Sequence, residues 1–138
     1  MAINGSGTKL DPWVLKTASG SSEYQAYKDP EAVPPQLVFL VSSHKITYHM
    51  RAVEDLYNML RRHRDWMDLG ECDEDKKPKP NTVEAWGRDT LNPMRGWYGL
   101  KPGVRGRFAV YLPPLLEALG MAELTHEPRG NRMRAIVE

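Results

Sequence analysis

Between Ala52 and Met67 the apolar residues recur at steps of three and four: Val53, Leu56, Tyr57, Leu60, His63 and Met67. Arg51, Glu54, Asp55, Asn58, Arg61, Arg62 and Asp65 fall between them and are free to face water. This period predicts an amphipathic helix over 52–67, with Gly70 as its stop. A helix with one apolar stripe must bury that stripe against another layer. The preceding chain offers no second helix, because Pro30, Pro34 and Pro35 interrupt it. The layer against which the helix packs is therefore expected to be a sheet.

Strand signals stand where that sheet is needed. Gln36 to Val41 is a continuous apolar run, and Lys45 to Met50 alternates, with Ile46, Tyr48 and Met50 on one face. Ser42-Ser43-His44 between them completes an antiparallel hairpin. Residues 1–35 are rich in Gly, Ser, Pro and Asp, yet carry Trp13, Val14, Leu15, Tyr24 and Tyr27. So many anchors predict an arm lying across the body, ordered from Asp11, with a turn at Asp11-Pro12 feeding a short extended piece.

Glu71 to Pro80 alternates blocks of acid and base and reads as a solvated charged linker. It divides a single compact domain, 1–138, into sub-lobes 11–70 and 81–138. In the second lobe Asn81 caps a short helix that buries Val83 and Trp86, and 89–106 is loop-rich. Phe108 to Leu119 has helical spacing, interrupted by Pro113 and Pro114. Met121–Thr125 and Arg132–Val137 then read as strands joined by Pro128-Arg129-Gly130-Asn131. The expected fold is α+β: an N-terminal β-hairpin plus amphipathic helix, then a helix–helix–β-hairpin unit of winged-helix type.

Composition limits the function classes. The net charge is +1, but residues 94–138 hold seven Arg or Lys against four Glu. The single cysteine, Cys72, excludes an internal disulfide and a zinc site of cysteine pairs, and fits a reducing cytoplasm. No stretch approaches a membrane span and the N-terminus lacks the order of a signal peptide. Gly99 to Gly103 lacks the Lys-Ser/Thr of a Walker loop, and no dinucleotide fingerprint or Gly-x-Ser-x-Gly elbow occurs. Glu71, Asp73 and Asp75 start like a calcium loop, but Lys76 stands where glycine is required. His44, His49, His63 and His126 form no ligand pair. Cys72 sits among acids, which disfavour a thiolate. No catalytic residue, metal or cofactor is expected.

What remains is a basic, glycine-rich stretch that extends from Arg95 to Arg107 without an acid. The candidate face is Arg95, Trp97, Tyr98, Lys101, Arg105 and Arg107, joined by Arg129, Asn131, Arg132 and Arg134 of the terminal hairpin. Arginine forks suit phosphate, and Trp97-Tyr98 between glycines suits stacking on bases. Alternatively the arginines pair with Glu84, Asp89 or Glu117, and the aromatics are core. Leu115 to Leu119 offers hardly a donor for reading bases, which argues against groove reading by that helix. Nucleic acid is the leading partner of a non-enzymatic binding module. The alternative is a protein-interaction or structural domain, and the third reading a small-ligand binder or enzyme with a pocket between the lobes.

The phrases Asp11-Pro12-Trp13-Val14-Leu15-Lys16-Thr17, Gly96-Trp97-Tyr98-Gly99-Leu100-Lys101, Arg105-Gly106-Arg107-Phe108 and Asn131-Arg132-Met133-Arg134-Ala135 resemble those of a group of small uncharacterised bacterial proteins. The resemblance covers nearly the whole chain and implies a bacterial, cytosolic setting without a mechanism. It departs at Ala18-Ser19, where the resemblance implies two prolines. Leu115 to Ile136 is also similar in rhythm to the winged-helix module fused to some Mrr-type restriction enzymes.

Overall fold

The computed structural model describes residues 4–137. Four strands, β1 (Trp13–Lys16), β2 (Glu23–Asp29), β3 (Gln36–Val41) and β4 (His44–His49), form an antiparallel meander in chain order. The register sets Trp13 opposite Ala26, Ala26 opposite Phe39 and Phe39 opposite Ile46. Leu15 pairs with Tyr24 and Leu37 with Tyr48, so one face of the sheet is apolar and buried. The 36–50 hairpin is as expected. The arm before it supplies two further strands, because Tyr24 and Ala26 alternate with Glu23 and Gln25.

The amphipathic helix α1 (Ala52–His63) buries Ala52, Leu56 and Leu60. It ends four residues short of the expected Met67 because Arg64 adopts a left-handed conformation, φ 64°, with its N–H on the Leu60 carbonyl. Met67 therefore belongs to β5 (Met67–Asp68). A second sheet follows, in the order β5–β7–β6, from β6 (Ala122–Leu124) and β7 (Arg132–Ala135). Met67 and Leu124 flank Met133 in its register.

The short α2 (Val83–Trp86) is capped by Thr82, whose hydroxyl accepts from the Ala85 N–H at 3.1 Å. Asn81, the expected cap, instead holds the positive φ, 63°, that turns the chain into the helix. Helix α3 (Phe108–Ala118) runs through Pro113 and Pro114, and residues 108, 109 and 111–116 are all buried. The two prolines withdraw N–H donors from the helix ladder. Burial on several sides holds the helix together, and the Tyr24 hydroxyl donates to the Tyr111 carbonyl at 2.7 Å. Aromatic rings bind the sheet to the helix: Tyr24 meets Tyr111 and Tyr48 meets Phe108 edge to face, with centroids 5.3 and 5.8 Å apart.

Within the charged segment 71–80, Cys72 to Lys76 are fastened to the body. The first half of the segment lies against the 103–107 loop, and the Arg107 N–H donates to the Cys72 carbonyl at 2.9 Å. A Cβ on Gly106 would stand 2.2 Å from the Glu74 nitrogen, so only glycine allows the two backbones to approach so closely. Among the described residues no helix is long and apolar enough to cross a membrane.

Candidate functional site

The glycine-rich basic stretch is held from within. Glu84 is fully buried, and its carboxylate accepts from the Phe108 and Ala109 N–H groups at the start of α3, at 3.3 and 3.0 Å. It also accepts from the Arg88 guanidinium at 2.6 Å. Arg88 in turn donates to the carbonyls of Cys72, Asp73, Glu74 and Lys76, which fastens the acidic segment in place. The buried acid thus satisfies the positive, N-terminal end of α3 from within the chain.

The fastened segment meets the arginines. Glu74 accepts from the N–H groups of Gly103 and Arg105 at 2.9 and 2.6 Å and from the Arg105 guanidinium. Burial pushes the Glu74 carboxyl upward, but these bonds outweigh it and hold the group below the usual glutamate range. Arg107 donates to Asp73 at 2.5 Å. Two guanidinium groups lie over Trp97, Arg105 at 4.3 Å and Arg88 at 4.5 Å from its ring centre. These cation–π contacts occupy the ring that was expected to receive a base.

Tyr98 is a core residue. It is fully buried, stacks on Trp86 at 5.3 Å, and donates its hydroxyl to Asp55 at 2.8 Å. Burial and the Asp55 carboxylate both push its phenol far above the normal range. Its neighbour Gly99 bridges to Tyr48 along β4, and a Cβ there would stand 2.7 Å from the Arg105 backbone. Asn131 is buried too: its side chain ties the hairpin turn together through Thr125 and Glu127. Neither Tyr98 nor Asn131 can meet a partner. Arg95 and Lys101 are exposed on the loop.

Cys72 also departs from the expected cause. Burial is the main influence raising its thiol, opposed by the adjacent Arg88. Among the described residues no cluster of His, Cys, Asp or Glu is built to hold a metal ion.

The terminal hairpin joins a different set of arginines. Pairing of Asp68 with Arg132 brings β7 beside the end of α1. Arg134 and Arg132 lie over Trp66, 4.6 and 5.7 Å from the ring centre. Arg61, Arg62, Arg64 and Arg134 line one cleft of about 1010 Å³, with Asp65 and Glu123 as its acids. Arg105 and Arg107 line another, of about 800 Å³, with Asp73, Glu74 and Asp75. The ten expected site residues therefore do not share one cleft.

Ion pairing separates the two sets further. Among the described residues, Arg51, Arg88, Arg105, Arg107 and Arg134 have carboxylate partners within 4.0 Å. Arg61, Arg62, Arg64, Arg95, Arg129 and Arg132 have none among the described residues, and all but Arg95 lie at the end of α1 or in the hairpin. The α1 arginines and Trp66 were not among the expected site residues.

A family model described as "Family of unknown function (DUF6855)" matches residues 5–136. No curated protein and no solved structure matches the chain.

Proposed function

We propose that this chain, which belongs to the family of unknown function (DUF6855), is a non-enzymatic nucleic-acid-binding domain. Its contact surface is the end of α1 together with the β6–β7 hairpin. The observation that carries this reading is the concentration there of arginines without a carboxylate partner among the described residues: Arg61, Arg62 and Arg64 at the end of α1, and Arg129 and Arg132 in the hairpin, with Arg132 over the Trp66 ring. A guanidinium without an internal carboxylate keeps its fork for phosphate oxygens. Phosphate contacts supply affinity without reading sequence.

The order α1–β5–α2–α3–β6–β7, with β7 central in its sheet, supports a unit of winged-helix type whose wing is β6–β7. The helix that would enter the major groove in such a unit is α3, and here the meander covers it. The domain therefore grips backbone through its wing and α1. The same reading places it in a bacterial, reducing cytoplasm, in keeping with its phrases and its single Cys72.

The test is a fluorescence-anisotropy titration with labelled duplex DNA and with single-stranded RNA. Replacing Arg61, Arg62 and Arg64 together by Ala should weaken binding to whichever is bound. Replacing Arg105 and Arg107 should leave affinity unchanged in protein that remains folded. A wild-type chain that binds neither probe, or a triple variant of undiminished affinity, removes the proposal.

A further inference from the structure

A second surface lies between the meander and α1. A groove of about 1030 Å³ opens there, and its apolar lining includes Met50, Val53, Tyr57, Met94, Leu119 and Met121. Three unbranched thioethers give such a surface the freedom to mould around a guest. Its charged lining is mostly basic: Lys28, Arg51 and Arg61 against Glu54. Arg51 is already held by Asp55, whereas Lys28 and Arg61 have no carboxylate partner among the described residues.

The loop that walls one end of this groove carries what the groove lacks. Pro34 and Pro35 form the wall, and Val33 just before them is 98% exposed. The loop is anchored by bonds from Ala32 N–H to the Asp29 carbonyl and from Met50 N–H to the Pro35 carbonyl. Two acids stand just before it in the chain, Asp29 at the end of β2 and Glu31 in the loop. An apolar knob with acids behind it thus stands at the rim of an apolar groove with unpaired cations. Val33 itself does not line the groove, and nearly all of it is in water.

We infer that the occupant of the groove is a second copy of this chain. In a two-fold pair each Val33 loop seats in the groove of the other, because knob and groove are adjacent parts of one self-complementary patch. Lys28 of each groove then faces the Asp29 and Glu31 carboxylates of the incoming loop. The contact closes on itself, so the assembly stops at two.

Sedimentation velocity over a range of protein concentrations tests this. The wild-type chain should show a monomer–dimer equilibrium. Val33→Asp should raise the dissociation constant about tenfold or more, because a charge replaces the buried knob. Val33→Leu should keep the dimer. Val33 touches little within its own chain, so folding is not at stake. Leu119→Glu, on the groove side, should also give monomers. An equal mixture of Val33→Asp and Leu119→Glu chains should regain a weaker dimer, because one intact knob still meets one intact groove. A wild-type monomer at every soluble concentration, a dimeric Val33→Asp protein, or a mixture that stays monomeric overturns the inference.

Discussion

Glu84 and Arg88 form an ion pair of 2.6 Å with the Glu84 side chain wholly out of water and that of Arg88 nearly so. Glu84 in the four-residue helix α2 and Arg88 just beyond its end thereby hold two distant segments. The carboxylate holds the first N–H groups of α3, and the guanidinium holds four carbonyls between Cys72 and Lys76.

Glu84→Ala leaves Arg88 without its counter-charge and two N–H groups of α3 without an acceptor. Breaking one partner out of a buried pair costs about 3–5 kcal/mol. Urea unfolding followed by circular dichroism should show a loss of that order, and a smaller one for Glu84→Gln, which keeps acceptor oxygen in place. A loss below about 1 kcal/mol for Glu84→Ala would contradict the role given to the pair.

Gly106→Ala should cost about 1–3 kcal/mol, the range for forcing extra atoms into a packed site. The new methyl meets the Glu74 backbone rather than a side chain that could move aside. The same unfolding experiment checks it, and a neutral substitution would mean that the acidic segment is free to withdraw.

Tyr98→Phe removes the hydroxyl that donates to Asp55, a bond to a charged acceptor worth about 1.5–3 kcal/mol. Asp55 keeps its partner Arg51, so the loss should fall toward the lower end. The nucleic-acid affinity of the folded variant should not change. Selective loss of binding without loss of stability would return Tyr98 to the contact surface.

His126 links three parts of the chain: its ring nitrogens meet the Glu117 carboxylate at 2.6 Å and the Ala18 carbonyl at 2.8 Å. Burial lowers its pKa, but both bonds raise it and together they win, so the folded value lies above the usual one. A raised histidine adds stability that is complete below the unfolded pKa, about 6.5, and disappears as pH rises through the folded value. The difference in melting temperature between wild type and His126→Gln should therefore be larger near about pH 5.5 than near about pH 8.5. A difference independent of pH would show that the proton is not held by these contacts.

The elements with a clean period were legible from sequence: α1, the β3–β4 hairpin, and the helix followed by a hairpin at the C-terminus. What escaped was decided by contacts between distant segments. Arg105 and Arg107 look free because no acid stands near them in sequence; Asp73 and Glu74 lie some thirty residues earlier, beside their own lysines. Tyr98 looks like a loop residue because its glycine neighbours hide its packing on Trp86 and Phe108. Arg61, Arg62 and Arg64 read as an ordinary water-facing helix end. Only the register of Met67 with Met133 brings them beside Arg134. Nothing local signals that pairing, since β5 is two residues long.

The salt dependence of nucleic-acid binding tests the central claim most directly. If Arg61, Arg62 and Arg64 each release a counterion from duplex DNA, replacing all three by Ala should flatten the slope of log K against log salt by about 2–3, at roughly 0.9 per phosphate contact. The Arg105→Ala, Arg107→Ala variant should keep the wild-type slope, because Glu74 and Asp73 already hold those side chains. The opposite pattern, an unchanged slope for the α1 triple and a flattened one for the Arg105/Arg107 pair, would contradict the assignment of the contact surface to α1 and the terminal hairpin.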